Sequence, residues 1–521
     1  MSTRARVLSW LAVALVGAVV VALVVGLSLF PRLNAAQNVI DRGGPAFDPQ
    51  RVAGDRAAIN MVDTAVTVVD KIASPRGGVS TEVPKLVKFV SAGSGLSQAA
   101  VMTALQKNFP HTTGLLLAVP LSAVSAELPG LVPFLANVMK LTPAQVTAVL
   151  RKDYPHLFQA ITALPVVTAD WYNVPNTAGL TRFNGTPVRS VPDTVAYFSG
   201  DVVPVLENQH GNFQSLATKG GVGFLDGLLL TVGLIVLVFG LLMAYLASRG
   251  LPRPIAAAGW SVVIVVGAVV VGLVLGLSLF PRLTAGQALV DGARPAFASA
   301  RVAGDRAAIN MLSQVVQAAD PIVTPEGGAA QEVPKLLALV SSKSGLPQDK
   351  VVAALQAQVP HTTALLQAIP LSAVTAELPK LVSFLSTALK LPADKVKAAL
   401  DQNFPNLAQA IALLPAVTNG WNNVPGTQGL TRFDGSPVRT VPQIRDYFSQ
   451  DVIPVLEKQE ANYRTVDQTW PPLPVFPPLL LVVGLLVVLY GLVMLLLTLR
   501  EAPPATASVS PSTRQPTHTR G

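Results

Sequence analysis

The chain contains no cysteine, which rules out disulfides, thiolate-bound zinc or iron–sulfur centres and cysteine nucleophiles. A domain outside the cytoplasm must then be held by its own apolar core. Charge is scarce too: 13% of the 521 residues are charged and 50% are hydrophobic, a balance explained by membrane spans. The longest apolar runs hold no charged side chain at all, which argues against proton- or ion-coupled transport, since that chemistry generally leaves an ionisable residue at membrane depth. No GxSxG, GxxxxGK[ST] or strand-to-helix GxGxxG motif is present, so the expectation is a non-enzymatic protein with no catalytic residue, cofactor or metal site.

What the chain does have is itself, twice. Residue n matches residue n+250 without a gap: Gly26 to Leu33 (GLSLFPRL) returns as Gly276 to Leu283, and Arg51 to Met61 (RVAGDRAAINM) as Arg301 to Met311. Four apolar runs, at 7–30, 227–247, 255–280 and 479–499, are long enough for the roughly 30 Å hydrocarbon layer at about 1.5 Å per residue. The first run exceeds a signal-peptide core and its duplicate lies in mid-chain, so both are read as permanent anchors.

The short segments 1–6, 248–254 and 500–521 hold seven arginines and one acid, Glu501, and so account for six of the nine net positive charges. That bias places them on the cytoplasmic side, with both termini, and puts 31–226 and 281–478 outside the cytoplasm of a plasma membrane. The two large segments are nearly neutral, and no basic footprint for nucleic acid remains. The predicted fold is therefore all-α: a four-span membrane protein of two tandem repeats, each a span, a helical ectodomain and a second span. Residues 501–521, rich in Pro, Ser and Thr, are expected to be disordered.

Inside each ectodomain a shorter repeat recurs at 45 residues, in which Phe109, Pro110, His111 and Pro120 answer to Tyr154, Pro155, His156 and Pro165. In copy two the series reads Val359, Pro360, His361 and Pro370, then Phe404, Pro405, Asn406 and Pro415. Each unit reads as a helix, a break, and a second helix opened by proline. A seam of Val52, Ile59, Val62, Val66 and Val69, with Val302, Ile309, Leu312, Val316 and Ala319, predicts a long amphipathic helix after the first span of each copy. Phe198, Val202 and Leu206 mark a closing helix. Each ectodomain is thus expected to be a helical bundle on its own two anchors. Asn184-Gly185 and Asp434-Gly435 predict one small exposed β-hairpin or tight loop per ectodomain.

Candidate sites follow from polar residues shared by the copies. Arg51, Asp55 and Arg56, with Arg301, Asp305 and Arg306, fall on what reads as the polar side of the seam helix, and Arg182, Arg189, Arg432 and Arg439 on the loops. Together they form the candidate binding surface for an anionic group, against the alternative of a solvated face or a local i,i+4 ion pair worth about 0.3–0.5 kcal/mol. His111, His156 and His361 lack a second ligand at helical spacing, and Asn406 takes the fourth place, so a packed or capping ring is favoured over a metal site. Glu82, Glu332, Glu127 and Glu377 read as acids near helix starts. Gly272 and Gly276, with Ala22 and Gly26, hint that the first and third spans pack closely.

These readings lead to a bacterial-looking envelope protein embedded in membrane lipid, whose paired ectodomains form an intramolecular pseudo-dimer and bind an envelope protein or an apolar, lipid-like ligand. A signalling or sensory module and an accessory subunit of a transporter are the alternatives.

Overall fold

A computed structural model describes residues 2–26, 28–73, 78–217, 222–324, 328–467 and 471–500; the 501–521 tail, expected to be disordered, lies outside the described residues. Helices dominate, and there is no strand among the described residues. Among the described residues five helices are long and apolar enough to cross a membrane, or six if a bent pair counts as one. They are Thr3–Gly26, Leu121–Met139, Gly227–Ser248, Arg253–Gly276 and Leu473–Arg500, with Pro360–Ala368 and Leu371–Leu389 as the bent pair.

Local chemistry sets the helix ends. In copy two the apolar run read as 255–280 stops being one helix at Gly276, and a second helix, Leu279–Ala293, begins after Ser278 at φ 52°. Pro281 explains the break, because it lacks an N–H to donate and its ring crowds the carbonyl four residues earlier. Pro110, Pro155, Pro360 and Pro405 each open a helix at its first turn, where a missing N–H costs nothing. Pro120 and Pro370 fall between helices, whereas Pro165 and Pro415 lie inside one. Gly95 and Gly345, at φ 74° and 71°, close helices Val79–Ser94 and Ala329–Ser344 in the left-handed conformation that glycine adopts without strain. The closing helix is not continuous: Phe198–Val202 forms a π turn between Val191–Tyr197 and Val203–Ala217.

The chain divides into two compact units. One comprises Met1–Ile40, Gln214–Val290 and Thr465–Gly521. Within it Thr3–Gly26 packs along Phe224–Ser248, and Arg253–Gly276 along Phe476–Arg500. Small residues make the approach close: a Cβ on Gly17 would meet the Leu237 backbone at 2.4 Å, and one on Gly267 would meet the Gly484 carbonyl at 2.9 Å. Gly26, Gly272 and Gly276 face open space, so the expected glycine seam between the first and third runs is corrected. Those two helices meet instead through Trp10 and Trp260, stacked at 3.6 Å and 9°. Arg32 is buried here and donates to the carbonyls of Pro471 at 2.9 Å and Val466 at 3.4 Å, while Arg282 donates to Leu216 at 3.0 Å. Each arginine thus serves the last turn of a helix from the other copy, where free carbonyls and the negative end of the helix dipole favour a cation.

The other unit is Asp41–Phe213 together with Asp291–Arg464. The expectation of two self-contained bundles is corrected here, because the copies interleave. The seam helix Pro49–Ala73 packs on Pro405–Gly420 of copy two, its counterpart Ser299–Val323 packs on Pro155–Asp170 of copy one, and Pro110–Ala118 lies against Pro360–Ala368. Val52, Ile59, Val62 and Val66 are buried with their counterparts Val302, Ile309, Leu312 and Val316. The Asn184-Gly185 and Asp434-Gly435 segments are tight loops closed by single bridges, Thr181 to Pro187 and Thr431 to Pro437, with no ladder. Their tips are exposed, but Leu180 and Leu430 at their bases are fully buried against Gly304 and Gly54 of the opposite copy.

Candidate functional site

Interleaving brings apolar helix faces of both copies around one central space. The seam helices, which contribute Val66 and Val316, meet Leu115 and Leu365 from the crossed pair Pro110–Ala118 and Pro360–Ala368, leaving a cavity of about 90 Å³. Its single polar lining residue is Thr168, whose hydroxyl is already engaged by the Leu164 carbonyl at 3.0 Å and by Ser125 at 2.7 Å. Trp421 also lines it, with its indole N–H donated to Asp320 at 2.7 Å. Two further apolar cavities of about 40 Å³ flank the central one, and their walls are counterparts under the 250-residue offset. A larger apolar cleft of about 430 Å³ lies among the long apolar helices of the other unit, beside Val16, Val20 and Leu479.

Four glutamates lock the walls in place. Glu377 accepts the N–H groups of His111 at 3.3 Å and Thr112 at 2.8 Å; Glu127 accepts those of His361 at 3.1 Å and Thr362 at 2.7 Å. Glu332 accepts from His156 at 3.3 Å and Leu157 at 2.7 Å, and Glu82 from Asn406 at 3.2 Å and Leu407 at 2.8 Å. Every one caps a proline-opened helix of the other copy, where a carboxylate satisfies otherwise orphaned donors and complements the positive end of the dipole. Glu82 and Glu332 lie in the first turn of their own helices as read from sequence, but Glu127 and Glu377 lie farther in, and the function of all four is in trans. The histidine positions now have a role. The ring Nδ1 of His156 meets Glu332 at 2.8 Å, the Asn406 amide donates to Glu82 at 2.8 Å, and His361 Nδ1 meets the Leu117 carbonyl at 2.8 Å. Nδ1 of His111 is buried with no hydrogen bond. Among the described residues no group of three or more His, Asp or Glu gathers as for a metal ion.

The predicted binding surface is redistributed. Arg51 does not pair locally with Asp55; its guanidinium donates to Thr431 Oγ1 at 3.2 Å and the Arg432 carbonyl at 3.3 Å, and lies 5.1 Å from the Phe433 ring centre. Arg301 mirrors it on Thr181 and Arg182, 4.9 Å from the centre of Phe183. Arg56 forms an ion pair with Glu207, and Arg306 one with Glu457. Arg182 holds Asp201 at 3.1 Å, and Arg432 holds Asp451 at 2.9 Å. Arg189 and Arg439 stay exposed.

Asp55 and Asp305 correct the reading most sharply, since they are buried, at 2% and 3% exposure, and not on a solvated face. Burial raises each carboxyl to about 7, opposed by Tyr447 and Arg51 at Asp55 and by Tyr197 and Arg301 at Asp305. One carboxyl oxygen of each aspartate, and both tyrosine hydroxyls, make no hydrogen bond of ordinary geometry. The signal was in the sequence. The seam runs 52, 59, 62, 66, 69, and position 55 is the missing member of its 3-4-3-4-3 spacing, so Asp55 occupies an apolar slot. Tyr447, Tyr197, Arg32 and Arg282 carried no comparable sign. Searches of protein-family profiles, curated proteins and solved structures found no match to this chain.

Proposed function

We propose that this protein is a non-enzymatic, four-span protein of the plasma membrane whose helical unit outside the cytoplasm holds an apolar ligand between its two repeats. The observation that carries the reading is the central cavity, which is walled by both copies and almost wholly apolar. Side-chain exposure supports four spans and not five or six. Large exposed apolar residues crowd Thr3–Gly26, Gly227–Ser248, Arg253–Gly276 and Leu473–Arg500, including Leu15, Val238, Val265 and Leu489, whereas Leu121–Met139 and Leu371–Leu389 turn theirs into the core of their own unit. The cleft of about 430 Å³ belongs to the first group of helices, where bilayer acyl chains are the solvent and would fill it. The arginine bias of the short segments keeps both termini cytoplasmic in this reading. Arg189 and Arg439 are the positions free to meet a headgroup or an envelope protein.

A sensory module is the second reading, favoured by the buried Asp55 and Asp305, whose carboxyls sit near 7. Native mass spectrometry of the protein extracted from its own membrane separates the two. A stoichiometric small apolar molecule supports the carrier; a ligand-free protein bound to a specific protein partner turns the assignment to the second.

A further inference from the structure

Arg51 and Asp55 stand one turn apart on the helix Pro49–Ala73, at the spacing of an i,i+4 ion pair, yet Arg51 reaches across to the other copy. Its Nη2 donates to Thr431 Oγ1 and the Arg432 carbonyl, and its guanidinium lies over the Phe433 ring. Its Nη1 is buried without a hydrogen bond, and so is Oδ1 of Asp55. A buried donor and a buried acceptor are thus left unmatched within one helical turn of each other, which is costly for both. Asp55 tolerates this position only while its carboxyl is neutral. An ionised carboxylate at 2% exposure has lost its water and needs a cation, and the cation that acts on it is the one holding the loop.

From the other copy, the group facing Asp55 is the phenol of Tyr447, the residue that opens the π turn Tyr447–Val452. Burial pushes this phenol up, so it stays neutral throughout. Behind it Asp451 is held by Arg432, and beside Asp55 the Arg56 guanidinium is taken by Glu207. Neither of these arginines can therefore replace Arg51. Copy two repeats the arrangement with Asp305, Arg301, Tyr197 and Asp201, with one difference: Arg301 Nη1 donates to the Pro295 carbonyl at 2.8 Å.

We propose that Asp55 and Arg51 form a proton-operated latch between the copies. While the carboxyl keeps its proton, Arg51 holds the 431–438 loop; when that proton passes to water, Arg51 turns back to the carboxylate and the loop is released. Asp305 and Arg301 act likewise on 181–188. One guanidinium with two sets of partners is a bistable element that protonation biases. The latch is independent of the apolar-ligand reading and is a moving part of the kind a sensory module requires. It governs the two loops that lead into the exposed Arg189 and Arg439.

The test is hydrogen exchange of the full chain in lipid nanodiscs from pH 5 to pH 8.5, corrected for the intrinsic rate at each pH. The amides of Arg432, Gly435 and Val438, hydrogen-bonded within the loop, are the reporters. With the carboxyl near 7 when the loop is held and near 4 when it is free, their protection is expected to fall at least about ten-fold between pH 5 and 7 and to level off above. Asp55→Asn, which is permanently neutral, keeps the loop protected throughout, and Arg51→Ala leaves it unprotected throughout. The 181–188 loop is expected to lose less, because Arg301 must also give up its bond to Pro295. The latch is overturned if 431–438 is equally protected at pH 5 and 8.5, or if its protection falls in Asp55→Asn as it does in the wild type. Should Asp55→Asn fail to fold, difference infrared spectra of the wild type decide: the band of a neutral carboxyl is expected to fade in step with loop protection. A band that persists at pH 8.5, or fades while the loop stays protected, overturns the latch equally. Native mass spectrometry judges the two functional readings separately, whichever way the loops behave.

Discussion

Glu332 and His156 belong to different copies of the repeat, yet the carboxylate of one accepts the backbone N–H of the other at 3.3 Å and meets its ring Nδ1 at 2.8 Å. The backbone part of this exchange occurs four times, and each time a helix of one copy begins on an acid of the other. Replacing Glu332 by Ala leaves buried N–H groups at the start of Pro155–Asp170 without an acceptor, at a cost of about 1–2 kcal/mol. Glu332→Gln, which retains one acceptor, should lose less. Urea unfolding followed by circular dichroism in a fixed detergent measures both; equal losses for Ala and Gln would show that the carboxylate oxygens do not cap.

The buried aspartates give stability a definite slope with pH. A carboxyl held near 7 in the folded protein and near 4 when unfolded binds more protons folded than unfolded between those values. Stability is therefore greatest at and below about pH 4 as far as these two groups are concerned, falls as pH rises through 4 to 7, and stays low above 7. Asp55→Asn should raise stability at pH 8 by on the order of 2–4 kcal/mol, by about a third of that at pH 5, and change little at about pH 4 and below. Melting temperatures of wild type and variant across pH 5 to 8 test this, and a gain that is the same at both ends would refute it.

Gly114 marks the crossing of Pro110–Ala118 and Pro360–Ala368. A Cβ there would meet the Ala364 carbonyl oxygen at 2.8 Å and the Ala368 nitrogen at 2.9 Å, both backbone and unable to swing aside. Gly114→Ala should destabilise by about 1–3 kcal/mol despite its better helix propensity. Unfolding of Gly114→Ala beside Ala364→Gly, which adds no atom to the crossing, separates the clash from the propensity effect.

Arg51 and Arg301 hold the loop of the opposite copy by its carbonyls and its aromatic ring. Arg51→Lys keeps the charge but cannot span Thr431 and Arg432 together, so it should behave nearly like Arg51→Ala. Hydrogen exchange at 431–438 is the direct readout: faster exchange in both variants, with 181–188 unchanged, is expected.

The copies should also assemble when the chain is cut. Residues 1–250 and 251–521, produced as separate polypeptides in one membrane, are expected to co-purify, since the caps, latches and cavity walls of each half come from the other. Either half produced alone should show low helicity in its share of the interleaved helical unit or pair with itself.

The apolar runs, the 250-residue duplication, the proline-opened helices and the seam are legible in the sequence because each depends on short-range periodicity and on the chemistry of single residues. The seam even marks Asp55, which fills an apolar slot of the buried face although an acid ordinarily lies in solvent. Which copy supplies the partner was not legible. Within a duplicated chain, Glu127 offers the same local pattern to a helix of its own copy and to the matching helix of the other, and the two choices differ only in long-range packing. Tertiary structure decided that choice, and with it the interleaved core, the burial of Asp55 and Asp305, and a cavity that exists only where apolar faces from both copies fail to close completely.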